Sequence, residues 1–476
     1  MREEFDSLGK LMIPDQAYYG IQTERARQNF TVSGVTVAHV PHYLWSIAAI
    51  KQAAAKANMK IGALDSSIAK AVMQAAQEVM DHQFDDQFPL DVFQGGGGTS
   101  TNMNMNEVIA NRANEILTGK KGYDTVDPNT HVNMGQSTND VIPASMKMTC
   151  RKNILSLVQE VEKLEHILQL KTDKFANVVK LARTCLQDAV PITLGQQFSG
   201  YYSQTKRLKQ ALITANKEAL HLPLGATAVG TSLSVQEGYI ENVYAELRNI
   251  TQEQYTPEEN FFDGLQNGDT YLEIAAQLKK LAAFLSKMAT DFRIQGSGPR
   301  AGFNELIIPA TQPGSSIMPG KINPVMPELI NQIAYQVIGN DTTITMAVEG
   351  GELDLNVWEP VIIKALFESC RLLTNAIPLF IEKCIAGIEP NVEVCKQYAE
   401  QSTALATVIA TLFGYKVGSA VAKKAFEQNT SVKEIVLAEQ LLTPAQALYL
   451  LDPMVMTDVK ASAAAIKRYH TEISKT

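Results

Sequence analysis

The residues best equipped for chemistry crowd into one stretch, Gly314-Ser315-Ser316-Ile317-Met318-Pro319-Gly320-Lys321-Ile322-Asn323-Pro324. Two hydroxyls, one ammonium and one amide fall within the nine residues from Ser315 to Asn323. Gly314, Gly320 and the prolines at 313, 319 and 324 interrupt any helix, so backbone N–H groups stay free to face a ligand. A Ser/Gly loop taken alone is most simply a solvated connection. Three further stretches share its character: Thr99-Ser100 after four glycines, Ser137-Thr138-Asn139-Asp140, and the run 183–188. Each alone reads equally well as a helix cap, since Ser, Thr, Asn and Asp are the preferred capping residues. Together they suit an anion. Each carboxylate oxygen takes two or three donors, and Ser, Thr, Asn and Lys supply them without bulk. The expectation is a small dicarboxylate bound at helix junctions, where free N–H groups and the positive end of the helix dipole are available.

Composition narrows the partners. The net charge of −8 and the lack of any Lys/Arg cluster argue against nucleic acid, so an anionic substrate needs a locally positive pocket. No run approaches the roughly 20 apolar residues that cross a bilayer. The opening MREEFDSLGK has no apolar signal core, so the expected location is cytoplasmic, with no membrane partner. Five cysteines show no CxxC spacing and seven histidines no HExxH. Neither a metal centre nor a disulfide framework is therefore expected.

The elements that must position these groups read as helices. Residues 1 to about 40 look like an irregular arm. Ala-rich helices follow from about Trp45, and another begins between Asn102 and Asn106. After Pro143, Ile154, Val158, Val161, Leu164 and Leu168 step by three and four, as do Leu278, Leu281, Leu285, Met288 and Phe292. Such sustained spacing predicts long helices packed nearly parallel. The segments at about 194–219, 236–250, 324–348 and 358–386 read likewise, and short helices follow Pro390. No strand-period run exceeds a few residues, so the fold class expected is all-α. Helices this long, apolar on two sides, also predict a homo-oligomer.

Five blocks carry a resemblance. GSSIMPGKINPVMPE resembles the signature of the fumarase/aspartase superfamily. GGGGTSTNMNMNEVIANRA, HVNMGQSTNDVIPAS, ARTCLQDAVPITLGQ and GPRAGFNELIIPA resemble the other family blocks, in order. The spellings QDAVPITLGQ, QSTND and NPVMPE are closer to the aspartate ammonia-lyase branch than to class II fumarase. The resemblance implies an all-α, three-domain fumarase/aspartase fold with a long central helical bundle, divided at 1–139, 140–390 and 391–476. It also implies a homotetramer whose active sites are each shared by three subunits, and no cofactor. The implied reaction is reversible anti elimination of ammonia from L-aspartate, giving fumarate through an enediolate.

Residue by residue, the resemblance implies Ser315 as general base. Ser137, Thr138, Thr99 and Ser316 match positions that hold the β-carboxylate, where charge develops. Thr184, Lys321 and Asn323 match those on the α-carboxylate. Asn139, with Thr99, matches the amino-group contact, and Glu328 an acidic residue buried near the site. A serine is a poor base unless its alkoxide is stabilised, and N–H groups of a Gly-containing loop suit that task. No GxSxG elbow favours a nucleophilic serine instead. Cys185 departs from the family, where His is common beside the leaving group; Gly135 and Gly268 depart where Ser and Thr are common. Hydroxide needs acid assistance to leave and ammonia does not, so Cys185 weighs against malate as substrate. Two alternatives remain: a lyase for another fumarate-forming substrate (a substituted aspartate, or malate), and a degenerate, non-catalytic relative. The loop 314–324 is expected to act as a mobile lid hinged at Gly314 and Gly320.

Overall fold

The computed structural model describes residues 1–474 and is predominantly helical. The chain divides into two compact units. One comprises Met1–Glu160, Leu208–Ala283 and Ile333–Asn375; the other Val161–Arg207, Phe284–Gln332 and Ala376–Thr476. The longest helix, Thr138–Lys174, belongs to the first up to Glu160 and to the second from Val161.

In the first unit the helix Tyr43–Lys60 packs on Ser66–Met80 and on Tyr239–Thr251. Ala48, Ala49, Ala53, Ala54 and Ala57 are fully buried, so small side chains let the helices approach closely. Asp65 starts Ser66–Met80 by accepting the N–H groups of Ser67 and Ile68. The helix Thr99–Thr118 is buried through most of its length, its five asparagines included. The second unit is centred on an aromatic cluster, in which the Phe198 ring lies 5.3 Å from Phe175, 5.6 Å from Tyr201 and 5.7 Å from Phe292. Its short C-terminal helices share a separate apolar cluster running from Leu405 to Tyr469. Two of them open on capping boxes, Ser431 with Glu434 and Thr443 with Gln446.

The apolar spacing marks the long helices well. Ile154, Val161, Leu164 and Leu168 are buried on Thr138–Lys174, as are Leu278, Leu281, Leu285, Met288 and Phe292 on Asp269–Gln295. Val325–Glu349 and Glu359–Lys383 are 25 residues each. Other expectations need correction. The helix at 138 runs through Pro143 instead of starting after it. The missing N–H falls in the second turn, where only one helical bond is lost. Tyr239–Thr251 is an ordinary helix of 13 residues, not a long one. The first 40 residues are not irregular. Arg2–Asp6 and Gly9–Ile13 form an antiparallel hairpin, followed by the helix Ile21–Asn29. A second hairpin pairs Val179–Thr184 with Gln187–Thr193.

Candidate active site

The expected site residues fall into two sets. Thr99, Ser137, Thr138 and Asn139 belong to the first unit; Thr184, Cys185, Ser315, Ser316, Lys321, Asn323 and Glu328 belong to the second.

In the first set, two helix N-termini come together. Gly96, Gly97 and Gly98 all have positive φ and lead into Thr99, the first residue of its helix. A Cβ on Gly98 would meet Ile142 at 2.9 Å, so the glycine lets this loop lie against the first turns of Thr138–Lys174. Ser137 precedes that helix and caps it. Its Oγ accepts the Asn139 N–H at 3.3 Å, and Asp140 accepts the Ser137 N–H at 2.9 Å. The capping reading of STND is therefore correct for Ser137, and capping leaves the Ser137 proton free to donate.

Hydrogen-bond polarity then sorts the four groups. Thr138 Oγ1 accepts from Asn102 Nδ2 at 3.2 Å, so its own proton is left to donate, as a carboxylate requires. Thr99 Oγ1 donates to the Gly96 carbonyl at 2.8 Å and is left as an acceptor. Asn139 Nδ2 donates to the Ala228 carbonyl at 2.8 Å, which leaves Oδ1 as an acceptor. Two donors for a carboxylate thus accompany two acceptors for an ammonium group.

Behind this edge lies a buried network. Asn133 Oδ1 accepts from Lys51 Nζ at 3.0 Å, Asn106 Nδ2 at 3.1 Å and Asn102 Nδ2 at 3.2 Å. Asp140 Oδ2 accepts the N–H groups of Gly225 and Thr227, both at 3.0 Å. Burial pulls the Lys51 ammonium down to about 7, against the raising influence of Asp140. Burial pushes the Asp140 carboxyl up to about 6, against its N–H partners and Lys51. Glu359 is also buried, which pushes it up to about 8, and its Oε2 lies 3.6 Å from where a Cβ of Gly97 would sit.

In the second set, the loop 314–324 is closed at its base. Gly314 N–H donates to the Lys321 carbonyl and Asn323 Nδ2 to the Gly314 carbonyl, both at 2.8 Å. A Cβ on Gly314 would sit 2.6 Å from Asn323 N and from Lys321 O, so only glycine permits this approach. Ser315 follows directly. Its Oγ accepts the N–H of Met318 at 2.9 Å and of Ile317 at 3.3 Å. Two N–H dipoles on one hydroxyl oxygen stabilise its deprotonated form. Ser316 and Lys321 are exposed, and Glu328 lies half-buried in the first turn of Val325–Glu349.

Thr184 and Cys185 are not at a helix junction, as their sequence suggested, but at the tip of the second hairpin. Cys185 and Leu186 are its two turn residues, with φ of 54° and 58°, the sign pattern of a type I′ turn. That turn normally takes Asn-Gly, and a left-handed Cys or Leu costs about 1 kcal/mol. The hairpin is braced from its flank. Arg183 pairs with buried Glu305 at 2.8 Å, and its guanidinium lies 4.3 Å from the Phe303 ring. Arg183 and Leu186 also line a cleft of about 1750 Å³ with Arg300, Lys396, Phe426 and Leu448.

Sequence reasoning missed Lys51, Asn102, Asn133, Asp140 and Glu359. A signal existed for Asp140, because Ser and Asp three residues apart spell a cap. Nothing flagged Lys51, which sits in an Ala-rich helix like any solvated lysine.

The mostly helical chain thus carries a hydroxyl-and-amide edge on one unit and, on the other, a serine whose oxygen accepts two N–H groups. The chain belongs to the lyase family, whose profile matches residues 9–339; the fumarase C C-terminal family matches residues 405–458. It is an enzyme of the fumarase/aspartase superfamily. Aspartate ammonia-lyase of Bacillus subtilis is 43% identical over 457 residues, 96% of each chain. Aspartate ammonia-lyase of Escherichia coli is 41% identical over 474 residues, 99% of this chain and 98% of that one. Among solved structures, the fumarate lyase:delta crystallin of Brucella melitensis bound to cobalt has a TM-score of 0.93 at 42% identity, covering 96% of this chain and 99% of its own. Class II fumarase of Schistosoma mansoni has a TM-score of 0.91 at 35% identity, covering 96% and 99%.

Proposed function

We propose that this enzyme is an aspartate ammonia-lyase, with Ser315 as the general base. The observation that carries the mechanism is the pair of N–H groups, from Ile317 and Met318, on Ser315 Oγ. The substrate assignment is supported by near-full-length similarity to aspartate ammonia-lyases. Ser315 removes a proton from the carbon next to the β-carboxylate. The electron pair spreads into that carboxylate as an enediolate, held by Ser137, Thr138 and Ser316; Thr99, expected there too, has its hydroxyl proton turned to the Gly96 carbonyl and is kept for the ammonium group. The C–N bond then breaks with its pair on nitrogen, ammonia leaves, fumarate remains, and the Ser315 proton passes to solvent. Lys321, Thr184 and Asn323 hold the α-carboxylate, Asn139 and Thr99 accept from the ammonium group, and Glu328 supports the site from behind.

Sites assembled from three subunits of a homotetramer belong to the same reading. Tyr335, Ile338 and Met346, exposed on one face of Val325–Glu349, offer apolar area for such assembly. The layout 1–139, 140–390 and 391–476, the cytoplasmic location and the lid motion of 314–324 belong to the same proposal. Among the described residues no helix is long and apolar enough to cross a membrane.

A second reading, a lyase for N-substituted aspartates, is favoured by Cys185, whose side chain is smaller than the usual histidine and exposed at a hairpin tip. Incubating the enzyme with fumarate and a panel of amines, and with malate, tests both. Addition of ammonia alone supports the first; faster addition of alkylamines supports the second; hydration to malate as the main activity contradicts both.

A further inference from the structure

Lys51 is 0% exposed and lies one helix away from the hydroxyl edge at Ser137 and Thr138. Two asparagines join it to that edge. Lys51 donates to Asn133 Oδ1; Asn102 donates one amide proton to the same oxygen and the other to Thr138 Oγ1. Asn133 is itself fixed by donating to the Gln136 carbonyl at 3.1 Å, just before Ser137. This arrangement sets the Thr138 hydroxyl as a donor and places a positive charge behind it, in an interior that screens charge weakly.

We propose that Lys51 is a positioning residue that makes the Ser137–Thr138 edge attractive to a carboxylate, acting through Asn133 and Asn102 without touching substrate. The inference rests on the dicarboxylate reading of the site and extends it to a residue with no substrate contact. It explains how an enzyme with net charge −8 can hold one carboxylate at an edge made only of neutral side chains.

Most charged groups around Lys51 are paired, and Glu359, raised to about 8 beside Gly97, is the other group near this edge able to take up a proton. Asp140 acts on Lys51 directly and also raises the buried phenols of Tyr239 and Tyr244. On the elements packed against its helix, Glu78 is paired with Arg112, and Glu246 with Lys56 and Lys60. Glu107 is held by the N–H groups of Gly20, Gln22 and Thr23, and His131 Nδ1 accepts the Asp127 N–H. A bound dianion favours the charged ammonium, so binding draws a proton onto Lys51 when the pH is above its free value.

The test is succinate, a dicarboxylate without a leaving group, titrated calorimetrically into the whole enzyme in buffers of different ionisation enthalpy. Wild type is expected to take up about half a proton per site near pH 7.5 and to lose about sixfold in affinity between about pH 6.5 and 8.5, one unit of coupling being tenfold over the whole range. Lys51→Met is expected to bind more weakly at pH 6.5, with the slope and the proton uptake gone. Wild-type binding without proton uptake overturns the proposal, as does a Lys51→Met enzyme that keeps the slope. Should Lys51→Met fail to fold, the uptake is measured in Glu359→Gln, where its persistence supports the proposal and its loss overturns it. Absence of succinate binding together with absence of fumarate from L-aspartate instead removes the substrate reading on which the inference stands.

Discussion

Replacing Gly314 by alanine tests whether the base of the 314–324 loop sets Ser315, the proposed general base. The added Cβ would lie 2.6 Å from Asn323 N and 2.6 Å from Lys321 O, and both are backbone atoms that cannot swing aside. The loop must open at its neck. Opening breaks the Gly314 N–H bond to Lys321 and the Asn323 Nδ2 bond to Gly314, each 2.8 Å long. At about 1 kcal/mol each, the loss is about 2 kcal/mol of loop organisation. Charged against the transition state, that is about 30-fold in kcat/KM. The loop is mostly exposed, so the thermal midpoint is expected to stay within about 2 °C of the parent. The assay is fumarate absorbance with L-aspartate, beside a melting curve. Gly320→Ala is the control. A Cβ there meets nothing within 4 Å, and its cost is confined to φ of +80°, so a smaller loss is expected. A Gly314→Ala enzyme within about twofold of wild type, or one whose loss is matched by lower melting, refutes the reasoning.

Three other expectations follow from the same geometry. Lys321→Met removes the charged partner proposed for the carboxylate where no charge develops, so KM for L-aspartate should rise about tenfold to a hundredfold with kcat less affected; an unchanged KM reassigns the residue. Asp140→Asn keeps one acceptor oxygen for what are now three N–H partners, Ser137, Gly225 and Thr227, and should lower the melting temperature and kcat/KM together; normal melting with normal activity would show the clamp is dispensable. Glu359 has a folded-state value raised to about 8 from 4.5, so the folded protein binds the extra proton between those limits and loses stability as pH rises through them. Glu359→Gln should flatten the melting temperature across about pH 5 to 8, and an unaltered pH dependence contradicts the assignment.

Much of this could be read from the chain because long helices advertise themselves. Leu278, Leu281, Leu285, Met288 and Phe292 repeat over enough turns that no competing period survives, and all five are buried. The hairpin at 179–193 escaped notice for opposite reasons. Its strands are six and seven residues long, and its turn is Cys185-Leu186, where the recognisable chemistry would be Asn-Gly. Residues 102–106, NMNMN, look like a solvated surface by composition, yet every one is buried. Their amides answer to Asn133 and the 87–88 region, partners far away in sequence. The chemistry of Ser315 was visible as a residue type; the two N–H groups that support it depend on the loop's closed neck, which pattern alone does not convey.

The most direct measurement pairs wild type with Ser315→Ala, following fumarate and ammonia release from L-aspartate and checking assembly by sedimentation. Wild type is expected to form the two products in equal amounts, and Ser315→Ala to lose at least about a hundredfold in kcat, as removal of a general base does, while remaining the same oligomer. A Ser315→Ala enzyme that turns over L-aspartate like wild type, or a wild type that yields no fumarate at high enzyme and substrate, would contradict it.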